Sequence, residues 1–134
     1  MWRTFVEYDN KKTRLYFDSI KFIDHKHAFV FYTDSEDEEC HVIIDGNVHA
    51  CRLTNESYAL SYNDKYITKK DIRCSILKSL ICYTEESEYI DWFRRTSCTK
   101  CDDILYHFYI DAEEYLVEFI TDEMPIFSKV HKNI

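Results

Sequence analysis

The only glycine of the chain stands at position 46, in Asp45-Gly46-Asn47, between the apolar runs His41-Val42-Ile43-Ile44 and Val48-His49-Ala50-Cys51-Arg52-Leu53. A tight reversal between two strands calls for positive φ, which glycine reaches without steric cost. The position predicts a hairpin with Gly46 as its left-handed residue. One glycine and one proline against eleven tyrosines and nine phenylalanines in 134 residues describe a chain rich in strand formers and poor in irregular linker. Its length suits one core, filled without covalent staples.

The same alternation of apolar runs and polar breaks predicts further strands. Residues 2–8 and 13–17 flank the polar cluster Asp9-Asn10-Lys11-Lys12, and the second of these runs extends toward Ile23. After a break at residues 24–26, His27-Ala28-Phe29-Val30-Phe31-Tyr32 is too continuously apolar for an exposed strand and predicts one buried on both faces or in mid-sheet. Asp34-Ser35-Glu36-Asp37-Glu38-Glu39 concentrates like charge and predicts a solvated loop. Residues 57–62 alternate as a sixth strand, and residues 77–83 form a seventh after a helical turn.

Thr84-Glu85-Glu86-Ser87 has the form of a helix start, with acids at the positive end of the helix dipole, and leads into Tyr89-Ile90-Asp91-Trp92-Phe93-Arg94-Arg95, basic at its far end. Beyond a break at residues 97–100, Ile104, Leu105, Phe108, Ala112, Tyr115, Leu116 and Phe119 recur at intervals of three and four. That spacing predicts an amphipathic helix over residues 102–123, ended by Pro125. The charge is uneven: residues 98–134 hold three basic and eight acidic side chains, whereas residues 1–97 hold fourteen and seventeen. Residues 1–97 thus read as a β domain and residues 98–134 as an acidic helix and tail with no core of its own.

Lys12-Thr13-Arg14-Leu15-Tyr16-Phe17, residues 29–32 before a polar loop, Val42-Ile43-Ile44-Asp45-Gly46-Asn47-Val48, and residues 85–95 around Trp92 follow one another in an order that resembles the pleckstrin-homology-like superfamily. The resemblance covers residues 1–97. It implies an α+β, mostly antiparallel fold: a seven-stranded barrel or sandwich capped by a helix whose Trp92 plugs the open end, with the acidic helix as an addition. In lipid-binding members, basic residues of the first hairpin loop grip inositol phosphates. Carried over, that role falls to Lys11, Lys12 and Arg14, with Lys65, Lys69 and Lys70 adding charge.

Several functions are disfavoured on chemistry. A formal net charge of −8 opposes a broad nucleic-acid surface. One glycine cannot build a glycine-rich phosphate loop, and no nucleophile motif occurs, so neither an enzyme nor a small-molecule substrate is expected. Cys98-Thr99-Lys100-Cys101 has metal-ligand spacing, but its further ligands would have to come from Cys40, His41 or His107. Cys98 and Cys101 are therefore weak zinc candidates, Asp24-His25-Lys26-His27 reads as solvated loop, and no cofactor is expected. Cys51, Cys74 and Cys82 read as small core hydrophobes. Met1-Trp2-Arg3-Thr4 carries no apolar signal core, which predicts reduced thiols in the cytoplasm or nucleus.

The expected function is a non-enzymatic protein-protein interaction module, an adaptor or subunit docking onto a larger intracellular assembly. The stripe of the predicted second helix, with Leu105, Phe108, Tyr115, Phe119 and then Phe127, supplies the partner-binding candidates. A phosphoinositide-binding membrane adaptor using Lys11, Lys12 and Arg14 is the alternative, opposed by the acidic loop at residues 34–39.

Overall fold

The computed structural model describes residues 2–55, 79–97 and 104–132. In chain order they form β1 (Arg3–Glu7), β2 (Tyr16–Ile23), β3 (Lys26–Tyr32), β4 (Glu38–Ile44), β5 (Val48–Asn55), β6 (Ser79–Thr84), α1 (Glu88–Thr96), β7 (Tyr106–Ala112), β8 (Tyr115–Thr121) and β9 (Ile126–His131). Two antiparallel sheets result, one ordered β1-β6-β7-β8-β5 and the other β2-β3-β4-β9. The expected strand at residues 57–62 and helical turn at 68–76 lie outside the described residues. No helix among the described residues is long and apolar enough to cross a membrane.

The inner faces share one core. Phe29, Phe31, Val42 and Ile44 from β3 and β4 meet Ile81, Phe108, Ile110, Val117 and Phe119 from the larger sheet. Its centre is a stack of rings: Phe119 lies 4.5 Å from Phe29 across the sandwich and 5.1 Å from Phe108 beside it, and Phe108 stacks on Tyr83 at 5.3 Å. Offset rings of this kind fix strand register as well as burying area. β3 lies between β2 and β4, as its continuous apolar run predicts, with residues 28–31 at 1% exposure or less.

A helix is predicted over residues 102–123, but the described part of that span, from residue 104, holds the β7–β8 hairpin instead. The misleading spacing has a physical origin. β7 and β8 are covered on both faces, by the sandwich core within and by α1 and Trp2 without. Double burial erases the alternation that marks a half-exposed strand. Asp111 and Glu113-Glu114 at the turn then imitate a polar helix face. These strands occupy the middle of the five-stranded sheet, so residues 104–132 share their two sheets with the described strands of residues 2–55 and 79–97. Pro125 precedes β9, which pairs with β4 from Glu38 to His131. β4 also begins earlier than the acidic run predicts, because Glu39 finds His41 at 3.0 Å and Lys132 at 3.3 Å.

The turns reverse the expectation for Gly46. Its φ is not positive; a Cβ there would come within 2.9 Å of the Asp122 and Glu123 carboxyl groups. These are the ends of flexible side chains, which can swing aside, so neither the turn nor this contact demands a glycine. Among the described residues the left-handed ones are Lys12, Asp24, His25 and Glu113. Asp24 (φ 50°) and His25 (φ 66°) form the two-residue loop between Ile23 and Lys26, the arrangement in which Gly is preferred at the second place. Left-handed geometry costs a non-glycine residue about 1–2 kcal/mol. Replacing His25→Gly is expected to raise unfolding free energy by about 0.5–1 kcal/mol after the entropy of glycine is subtracted; urea denaturation measures it, and a loss of stability would mean that His25 makes an unseen contribution.

Candidate functional site

On β8 the sequence Leu116-Val117-Glu118-Phe119-Ile120 points Val117 and Phe119 into the sandwich and Glu118 to its other side, where it is fully buried. Its register partner on β5 is Arg52. Arg52 donates from Nε to Oε2 at 2.6 Å and from Nη2 to Oε1 at 3.0 Å. His107 on β7 bonds Oε1 through Nε2 at 2.8 Å. Three charge-assisted or near-charged bonds thus enclose the carboxylate, the condition under which burying it is tolerable. Burial alone would push the Glu118 pKa up, but the bonds from His107 and Arg52 hold it below the ordinary carboxylate range.

The second imidazole nitrogen of His107, Nδ1, lies 2.8 Å from Ser87 Oγ. Ser87 is the N-cap of α1, and the same oxygen accepts the amide N–H of Ile90. One assignment satisfies both groups: the imidazole donates from Nε2 to Glu118 and accepts the Ser87 hydroxyl proton at Nδ1. The imidazole is then neutral, in keeping with a pKa lowered by burial and by Arg52. Serine, histidine and glutamate stand in a row, yet the hydroxyl is committed at both ends and His107 is 1% exposed. The row clamps the start of α1 to the sheet.

Above it, the face of Tyr89 covers the Arg52 guanidinium at 3.7 Å from the ring centroid. Tyr89 also meets the His107 ring edge-on at 5.0 Å, and Trp92 stacks against Tyr89 at 5.7 Å. Tyr89 is buried, whereas Trp92 keeps 47% of its surface exposed. Trp92 is therefore not the plug expected of it. The helix lies on the outer face of the five-stranded sheet through Tyr89, Ile90 and Phe93, which meet Leu105, Ile120 and Ala50, and Trp92 falls beside that stripe. Between α1 and β5 opens a cavity of about 690 Å³, lined by Ala50, Cys51 and Arg52 on one side and Glu88, Tyr89, Asp91, Trp92 and Arg95 on the other.

The residues singled out from sequence are placed elsewhere. Leu105, Phe108 and Phe119 are fully enclosed in the protein's own interior, Phe127 packs against the main core, and Tyr115 is partly exposed at the β8 turn. They form no common surface stripe, because four of them belong to strands and Leu105 directly precedes β7. Lys11 and Lys12 are exposed, but Arg14 stands 3.8 Å from Glu113, and Asp9, held by the Thr13 amide and hydroxyl, lies in the same loop. The Tyr16 hydroxyl donates to Asp34 at 2.8 Å, which draws the acidic loop to this end of the sandwich. Cys98, Cys101, Lys65, Lys69, Lys70 and Cys74 lie outside the described residues. Cys40, His41 and His107 do not converge, and among the described residues no three His, Cys, Asp or Glu side chains are placed to hold a metal ion. Cys82 is buried as expected and Cys51 is not. Comparison with family models, with curated proteins and with solved structures finds no match.

Breaking this network exposes its role. Arg52→Met leaves the Glu118 carboxylate buried without its cation and is expected to cost about 3 kcal/mol of unfolding free energy, read from urea denaturation at pH 7; a change below about 0.5 kcal/mol, the scale of an ordinary surface substitution, would contradict the clamp. The pH dependence follows from His107. Its pKa is lowered on folding from the ordinary 6.5, so unfolded chains take up the proton first. The stability it contributes is whole above about pH 6.5 and is lost as the pH falls below that value. Between pH 6.5 and 5 the wild type is expected to lose stability faster than His107→Gln, by at most about 1.4 kcal/mol per pH unit; parallel curves would place the sensitivity elsewhere.

Proposed function

We propose that the protein is a non-enzymatic interaction module, an adaptor or subunit, that docks a protein partner at the groove between α1 and β5. The supporting observation is Trp92: nearly half exposed, yet stacked on a buried Tyr89 that rests on an ion-paired Arg52. A large aromatic held in place before binding loses little freedom when a partner covers it, and tryptophan, tyrosine and arginine dominate interface energetics. The groove is of ligand-binding size. A non-catalytic role accords with the sealed Ser87, His107 and Glu118, which offer no free nucleophile or base to that groove. The pleckstrin-homology-like resemblance of residues 1–97, a superfamily of binding modules, belongs to the same proposal, as does a cytoplasmic or nuclear setting. Burial pushes the Cys40 thiol to about 11 and Cys82 to about 12, so these two would stay unreactive thiols there.

The phosphoinositide alternative at Lys11, Lys12 and Arg14 is weaker, since Asp9, Glu113 and Asp34 crowd the same loops. Binding to cell-lysate proteins, compared between wild type and Trp92→Ala, tests the main reading. A specific partner is expected to bind the variant about 30-fold more weakly, a loss typical of a central hot spot, with an unchanged melting temperature. It is also expected to slow alkylation of Cys51, which lines the groove, while leaving Cys40 and Cys82 as they were. Equal retention by the variant, or vesicle flotation that depends on Lys12 and Arg14, would overturn it.

A further inference from the structure

Four of the residues lining the groove from the helix side lie at 88, 91, 92 and 95 in α1, one-turn and two-turn neighbours on a single face. Their chemistry changes along the axis: Glu88 and Asp91 at the start, Trp92 in the middle, Arg95 at the end. Exposed Glu85 and Glu86 precede the negative end in sequence. Among the described residues, no ion pair engages Glu88, Asp91 or Arg95. The opposite wall is closer to neutral, because Arg52 is balanced by Glu118. The groove therefore has direction: negative, then aromatic, then positive.

Resting on the docking reading above, we infer that the occupant is a short extended peptide segment that presents a basic residue, an apolar or aromatic residue and an acidic residue in that order along α1. The basic side chain lies by Glu88 and Asp91, the apolar one on Trp92, and the acidic one by Arg95. The dimensions agree. Arg95 lies seven positions beyond Glu88, about 10 Å along the axis, the rise of roughly three residues of extended chain. That distance exceeds the screening length of about 8 Å at physiological salt, so each end acts largely on its own and the two are read separately. Complementarity of this kind sets orientation and partner choice more than raw affinity.

Selection of a displayed library of random heptapeptides on three forms of the protein tests this: wild type, Trp92→Ala, and the swap Glu88→Arg with Arg95→Glu. All three positions are exposed, and matching melting temperatures confirm that the variants fold. Wild type is expected to enrich peptides with a basic and an acidic residue three or four apart, flanking an apolar one. Synthetic copies are expected to bind the swap variant at least 10-fold more weakly, and peptides of exchanged charge order to bind it better than they bind wild type. Enrichment that needs Trp92 but carries no charge order, or that keeps its order on the swap variant, overturns this inference and leaves the docking site standing. Enrichment no greater than on Trp92→Ala overturns the docking site itself.

Discussion

Glu118 carries a charge in a place without water, and much of the outer face of the larger sheet is arranged to make that tolerable. Taking a carboxylate out of solvent costs several kcal/mol even after relaxation, so the groups around it have little freedom. Arg52 must lie across from it on β5, and His107 beside it on β7. Each then constrains the helix, His107 through the Ser87 cap and Arg52 through the Tyr89 ring. A hydrophobic trio of similar volume could match the stability of such a cluster. It would not specify where α1 begins or which way Tyr89 faces, and the exposed Trp92 takes its position from Tyr89.

Much of the strand framework was legible from local pattern. Polar breaks at residues 9–12 and 24–26, and the apolar run through Phe29, locate the first three strands because each has a turn chemistry of its own. The start of α1 was equally plain, since Ser87, the early acids and the late arginines act within one helical turn of each other. The second half of the chain was not, for the reason given by β7 and β8: a strand covered on both sides no longer alternates. Two signals survived even there. Residues 106–110 and 115–121 are dense in aromatic and β-branched residues, and Glu118 stands as the one charge inside the apolar run Leu116-Val117-Glu118-Phe119-Ile120.

The candidate site was hidden by distance along the chain. Arg52 and Glu118 are 66 residues apart, and the ring that joins their cluster to the surface comes from a helix between them. Only the pairing of β5 with β8 unites them. His107 was offered by sequence as a remote zinc ligand, whereas its neighbours give it a proton acceptor and a hydroxyl instead. Gly46 shows a similar limit. Its rarity marked it as the left-handed turn residue, but that conformation falls instead on residues such as Asp24 and His25.

The central position of the last hairpin has a consequence for how the molecule is made. β5 and β6 leave the ribosome long before β7 and β8, yet in the finished sheet those later strands lie between them. Until they arrive, the β1–β6 pair and β5 present unsatisfied backbone edges and apolar faces, the features that invite pairing with other chains. Long-range contacts of this sort also make folding slow, since loop closure precedes any reward. The described strands before residue 97 thus lack the centre of their larger sheet until the last hairpin is in place.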